Sequence, residues 1–387
     1  MHLDPLLPKL VAVLLAMLAI ALVMRVLRQP HVVAYLIAGV VLGPGVLGVI
    51  EDADTIHHLG SVGLVLLMFF VGMEVSPKQL AQGWRVAVIG TGVQIAASVG
   101  CAMGLGAMLG WPLPRSVVLG MVISLSSTAV VLKLLKEWRE LDSDVGRDAL
   151  GILLVQDLAV IPMLAMIGFL GDAHEGEGMW LQQAIGGVVL VGIAVLSVRR
   201  PARLPLVSWL RDDHELQVFA AGAVATGLAL LSGLVGLSTA LGAFVAGMLV
   251  ASARETEWVH RSLEPFRVAF VAMFFLSVGM LLDLQFLIDH WWQALLLVAA
   301  VLLTNNLING ITLRMLGDPW RESLYTGALL SQIGEFSFVL ASVAYQARII
   351  ESYGYLMTIA VIALSLALSP AWIAVMRKLT GQGHAQA

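Results

Sequence analysis

The sequence predicts an all-α polytopic membrane protein of about 13 transmembrane helices, built as inverted repeats in which the fifth and twelfth helices are broken. Three observations carry this expectation. The composition is 59% apolar and only 12% charged, against roughly 45–50% and about 25% for soluble domains, so lipid is the solvent for most of the chain. Apolar runs of spanning length recur from end to end. Polar interruptions fall at matching places in two of them.

Taken in order, the spans are expected near 8–27, 31–48, 57–75, 85–110, 115–137, 147–170, 180–198, 214–233, 235–252, 263–286, 291–315, 321–346 and 353–377. The first is long enough to cross a bilayer and has no basic region before it, so it reads as a helix and not as a cleavable signal. The basic residues test the order of the rest, because Lys and Arg collect in cytoplasmic loops. Of the 22 Lys and Arg, all but Lys9, Arg115 and Arg348 fall in loops that follow odd-numbered spans, or at their margins. The other side carries Glu51, Asp52, Asp54, Asp172, Glu175 and Glu177. This asymmetry implies an inner-membrane protein with its N-terminus outside, its C-terminus cytoplasmic and an odd number of spans.

Two segments of the fifth and twelfth spans look alike: Gly120-Met-Val-Ile-Ser124-Leu-Ser-Ser-Thr128 and Gly327-Ala-Leu-Leu-Ser331-Gln-Ile-Gly-Glu335. A weaker echo joins Ala38-Gly39 through Gly43 to Gly242-Ala243 through Gly247. Both pairs are seven spans apart, and an odd shift reverses topology. Inverted repeats with polar breaks in matching helices point to a transporter site near the midplane, where unwound backbone meets the ion. For any single Ser or Gly, close helix packing is an equal explanation.

Asp157 lies mid-span in Leu153-Leu-Val-Gln156-Asp157-Leu-Ala-Val-Ile-Pro162, with no basic residue in reach along the helix. A carboxylate there costs at least about 2.5–3.5 kcal/mol, so it should face protein or water and serve an ion path. Gln156 adds a neutral amide beside it, as near-ligand or as an interhelical hydrogen bond. One ionisable group can carry one cation or one proton, which makes their exchange electroneutral. Pro162 loosens the helix one turn on, or is an ordinary kink. Ser126, Ser127 and Thr128 offer hydroxyl and freed carbonyl oxygens to a partly dehydrated monovalent cation, or bond back to their own helix. Glu335 is a second proton carrier or, in the favoured reading, a structural acid at the half-helix ends, with Ser331 and Gln332 beside it in the second break. Asn305 and Asn306 read as helix-packing hydrogen bonds.

Other classes fit poorly. No phosphate loop, zinc-ligand spacing or nucleophile elbow occurs, so no enzyme activity is expected. No dense basic patch exists for nucleic acid, and the formal charge is -4. The single cysteine, Cys101, cannot form a disulfide within the chain and is expected to be a packing residue. A ligand-gated potassium channel or a non-transporting membrane sensor could use the same polar breaks.

Together Gln156-Asp157 with Pro162, Ser124 to Thr128, Leu263-Glu-Pro-Phe266, Phe274-Phe-Leu-Ser-Val-Gly-Met280 and Ser331-Gln-Ile-Gly-Glu-Phe336 resemble the Kef-type potassium/proton antiporters of the monovalent cation:proton antiporter-2 family. The resemblance spans nearly the whole chain. It implies a thirteen-helix sodium/proton-antiporter fold and a homodimer in which a core domain slides against a dimerisation domain. Dimerisation helices are expected in 1–84 and 214–290, core helices in 85–178 and 291–378, a connector in 179–213 and a cytoplasmic tail in 379–387. Potassium, or sodium, would bind at Asp157 with Gln156, Ser126, Ser127 and Thr128. Asn305 falls where many relatives carry a basic residue, which leaves Asp157 without that countercharge. The expected partners are the cation, the proton and lipid. No cofactor is expected within this chain; a nucleotide would bind the regulatory domain that usually follows the membrane part in Kef-type proteins.

Overall fold

The computed structural model describes residues 6–27, 29, 31–74, 85–171, 185–190, 192–193, 213–235, 237–252 and 257–381. Among these, every regular element is helical. The helices are α1 (Leu6–Val26), α2 (His31–Leu42), α3 (Ala53–Glu74), a π-helical turn at Arg85–Gly90 that runs into α4 (Thr91–Leu109), α5 (Leu113–Ser124), α6 (Thr128–Trp138) and α7 (Asp144–Leu170). They continue as α8 (His214–Leu234), α9 (Thr239–Ser252), α10 (Glu257–Met280), α11 (Leu284–Asp289), α12 (Trp291–Leu316), α13 (Trp320–Leu329), α14 (Phe336–Gln346) and α15 (Ser352–Leu379). Among the described residues seven of these are long and apolar enough to cross a membrane, and α2, α5, α9, part of α10 and α14 are shorter apolar helices. The expected connector at 180–198 lies largely outside the described residues, as do the loop cations Lys78, Arg199, Arg200, Arg203, Arg211 and Arg254.

Helix ends follow local chemistry. The second helix stops at Leu42, earlier than the expected 48, because Gly43-Pro44-Gly45 follows: a residue before proline avoids the helical region, and proline has no N–H to continue the ladder. The helix expected at 263–286 instead starts at Glu257 and ends at Met280. Asp283 then caps the short α11, its Oδ1 accepting from the Gln285 and Phe286 N–H groups at 2.8 and 3.1 Å. Ser143 does the same for α7, accepting from Gly146 N–H at 3.0 Å. That helix runs unbroken through Pro162.

Packing divides into two groups. In the first, α3 packs on α9 and α10, α2 packs on α10 and α1, and α8 lies on α9. In the second, α4 packs on α5, α12 on α13 and α15, and α14 on α5, α7 and α15. The groups meet where α9 touches α7, α2 touches α15 and the Phe275 and Phe338 rings meet edge-on with centroids 5.8 Å apart. Close approach inside the first group depends on glycine. A Cβ on Gly39 would run into the Leu276 carbonyl, and one on Gly279 into the Leu36 carbonyl, so α2 and α10 touch backbone to backbone. Cys101 departs from expectation: it lies exposed on α4.

At one end of the molecule a polar clamp ties three elements. Glu140, in the loop after α6, accepts from the Tyr325 hydroxyl of α13 and from the Arg377 guanidinium of α15, each at 2.7 Å. Arg377 also lies over the Trp138 ring, 4.5 Å from its centroid.

Candidate ion-exchange site

Neither break is a disordered gap; each has a defined backbone path. In the first, Leu125 and Ser127 are extended, and Ser127 caps α6 by accepting from Val130 N–H at 3.3 Å. The second runs from Leu330 to Glu335, between α13 and α14. The two cross in direct contact. Gly334 N–H donates to the Leu125 carbonyl at 2.7 Å, and a Cβ on Gly334 would strike the Ser126 carbonyl. The Ser126 hydroxyl donates to the Leu330 carbonyl at 2.7 Å, and the Ser337 hydroxyl to the Val122 carbonyl at 2.6 Å. Backbone groups freed by unwinding are thus satisfied across the crossing, as a low-dielectric interior requires.

Charge is sorted by helix polarity. A helix N-terminus carries partial positive charge and a C-terminus partial negative charge. Asp157, on α7, accepts from the Thr128 hydroxyl at the start of α6, 3.1 Å to Oδ2 and 3.4 Å to Oδ1. Glu335 stands at the start of α14, and its Oε2 accepts from the Ser127 hydroxyl at 2.6 Å. Carboxylates therefore sit at both half-helix N-termini. The C-terminal carbonyls receive neutral donors instead. Asn305 Nδ2 donates to the Ile123 carbonyl at 2.7 Å and to the Ser331 carbonyl at 3.2 Å, so one amide bridges the two breaks.

Gln156 is fully buried, with its amide engaged at both ends. Its Oε1 accepts from Ser126 N–H at 2.9 Å, and its Nε2 donates to Gln94 Oε1 at 3.0 Å. Gln94, also fully buried, donates in turn to the Ser124 carbonyl at 2.7 Å. Ser331 bonds back to the Ala328 carbonyl within its own segment, and Gln332 Nε2 reaches the Ser127 carbonyl at 3.5 Å, the outer limit of a hydrogen bond. Gln156, Asp157, Ser126, Ser127, Thr128, Asn305, Ser331, Gln332 and Glu335 thus lie at or beside the crossing, whereas no bond ties Pro162 or Asn306 to it among the described residues. Ser126 and Ser127 are closed off, at 2% and 1% exposure, whereas Asp157 and Thr128 keep partial exposure. Glu335 keeps partial exposure as well, so among the described residues the surface of the crossing is formed by its carboxylates and Thr128. A hydroxyl that donates still has oxygen lone pairs, so the buried serines retain acceptor capacity.

Sequence reading missed Gln94 and Ser337. Each is a polar residue in an apolar helix, and that was the available signal; Ser337 directly follows the Ser331 to Phe336 motif, whereas Gln94 stands in no recognisable cluster.

Comparison with known proteins decides the family. Residues 13–378 match the family described as sodium/hydrogen exchanger, transmembrane. The chain belongs to that family. Family membership carries the general function, exchange of a cation for protons across a membrane, and makes this a multi-pass membrane protein. The chain is 36% identical over 357 residues to the iron transporter MagA of Paramagnetospirillum magneticum, covering 91% of this chain and 81% of that protein. It is 35% identical over 369 residues to the glutathione-regulated potassium-efflux system protein KefC of Salmonella paratyphi B, covering 92% of this chain and 58% of KefC. Among solved structures, the sodium proton antiporter MjNhaP1 of Methanocaldococcus jannaschii superposes with a TM-score of 0.70 at 16% identity, over 98% of this chain and all of that one. At that identity the likeness establishes the fold. The family and the KefC match together identify a Kef-type cation/proton antiporter membrane domain.

Proposed function

We propose that this antiporter exchanges potassium for protons one for one, without net charge movement, using Asp157 as the single shared carrier. The observation that carries the reading is the pairing at α7: one partly exposed carboxylate, next to a glutamine whose amide is bonded at both its oxygen and its nitrogen in holding the first break. Deprotonated, Asp157 binds the cation, with Thr128 and the break oxygens as neighbouring donors of lone pairs. Protonated, it carries the proton. The two states exclude each other, which is the coupling. Glu335 is read as a structural acid, held by Ser127 at the start of α14.

Transport is read as elevator-type alternating access. The group containing the crossing moves as the core against the group of α1 to α3 and α8 to α10, which supplies the face of a homodimer. The protein is placed in the inner membrane, N-terminus outside and C-terminus in the cytoplasm, in contact with lipid. The similarity to KefC, named for potassium efflux, favours potassium. Sodium is the second reading, favoured by the family name and by MjNhaP1.

The test is a pH-gradient assay in proteoliposomes with potassium, sodium or lithium, the membrane potential clamped and unclamped. Potassium-dependent proton flux insensitive to the clamp is expected, and Asp157→Asn should abolish it. Flux retained by Asp157→Asn, or driven by voltage, would sink the single-carrier scheme.

A further inference from the structure

Ser124 and Ser126 flank the extended residue Leu125, and between them they leave one carbonyl and one N–H facing α4 and α7. A carbonyl only accepts and an N–H only donates, so whatever joins them must begin with a donor and end with an acceptor. Two amides laid head to tail meet this demand. Gln94 donates to the Ser124 carbonyl at 2.7 Å and accepts from Gln156 at 3.0 Å, and Gln156 accepts from Ser126 N–H at 2.9 Å. Turning either amide over would set oxygen against oxygen and nitrogen against nitrogen, so the backbone at both ends fixes the sense of the whole relay.

We propose that Gln94 is a positioning residue for ion exchange: it fixes the Gln156 amide, and through it the first break, in the geometry that places Asp157 and Thr128 together. This deepens the exchange site proposed above and rests on it. It also gives a local reason why residue 156 is neutral. A carboxylate at 156 could accept from Ser126 N–H but could not donate to Gln94 Oε1, so the relay would end in two facing acceptors. Gln94 acts without touching the ion. Of the ionisable groups on the helices around α4, Asp157 is the neighbour along α7, whereas Asp144, Arg147 and Asp148 lie two or more turns back. Arg115 near the start of α5 and Arg314 near the end of α12 stand toward opposite ends. Arg85 opens the π-helical turn that leads into α4.

Two substitutions at 94 separate hydrogen bonding from packing. Gln94→Leu keeps the bulk and loses both bonds. Gln94→Glu keeps the shape, and its protonated form restores the relay, the carboxyl O–H donating to the Ser124 carbonyl and its C=O accepting from Gln156. Exchange and thermal unfolding are measured from pH 5 to pH 9 on the reconstituted or purified protein, each relative to the parent at the same pH. Gln94→Leu should raise the potassium concentration for half-maximal exchange about tenfold at every pH. Gln94→Glu should match the parent at the acid end, in both exchange and melting temperature, and lose ground as pH rises. A Gln94→Leu protein that exchanges and melts like the parent would overturn the proposal, and so would a Gln94→Glu protein that tracks Gln94→Leu at all pH. A parent without cation-dependent proton flux would instead strike the exchange reading itself, while the melting curves would still judge the relay.

Discussion

Polar side chains in this chain differ in how much of their role could be read before folding. Asp157 stood out because a lone carboxylate in an apolar run is costly, and the hydroxyls of Ser126, Ser127 and Thr128 because they cluster. Gln94 did not, since a single glutamine within Thr91–Leu109 carries no pattern; its meaning comes from Gln156, 62 residues on. Outside the spans, Asp318 follows Gly317 at the end of α12. Partial burial and the nearby Asp144 carboxylate hold its carboxyl above the ordinary carboxylate range. An acid raised in the folded state binds its proton more tightly there than in the unfolded chain, so its penalty is absent below the ordinary pKa and grows as pH rises through the raised one. Asp318→Asn should therefore raise the melting temperature of the detergent-purified protein at pH 8, with the gain shrinking toward pH 4.5. An equal gain at both pH values would count against this electrostatic cause.

At the scale of helices, the polar break at Ser126 to Thr128 was legible because it depends on neighbours in sequence, whereas the stop of α2 at Gly43-Pro44-Gly45 and the start of α11 at Asp283 were read through as continuous span. The stop at Leu42 came earlier than hydrophobicity alone suggested, because backbone chemistry outranks side-chain polarity at that point. What could not be read is which glycines face which helices. Gly39 and Gly279 sit in contact, each filling the space that a side chain on the other would need. Gly279→Leu should force α2 and α10 apart at a cost of about 1–3 kcal/mol, seen as a lower melting temperature in detergent. A substitution of equal size at Gly92 of α4, where a Cβ meets open space, should cost little by comparison. If the two variants melt alike, the backbone contact between α2 and α10 carries no special weight.

For the whole molecule, the contacts sort the chain into two ends. Lys133 donates to the Gln29 carbonyl at 2.9 Å, and Arg377 near the end of α15 meets Glu140, which gathers the segments around 29, 140 and 377 at one end. Arg115 lies over the Trp111 ring at 4.9 Å and beside Gly354, which marks the other. The proposed orientation makes the first end cytoplasmic. In a Cys101→Ala background, a membrane-impermeant maleimide applied to intact cells should label Glu351→Cys and leave Asp142→Cys unlabelled until the cells are opened. The reverse pattern would invert the topology. The meeting of the two breaks was not legible, because it joins residues 204 to 215 positions apart.

That separation has a consequence for how the protein is made. The first break leaves the ribosome with its partner still unsynthesised, and at about 5–20 residues per second the wait for the second is on the order of ten to forty seconds. During that interval the carbonyls of Leu125 and Val122 lack the Gly334 and Ser337 donors that satisfy them in the finished fold. The insertion machinery, or water held at the nascent chain, must serve them meanwhile. A stalled chain lacks the crossing, which forms only once the second break has been made.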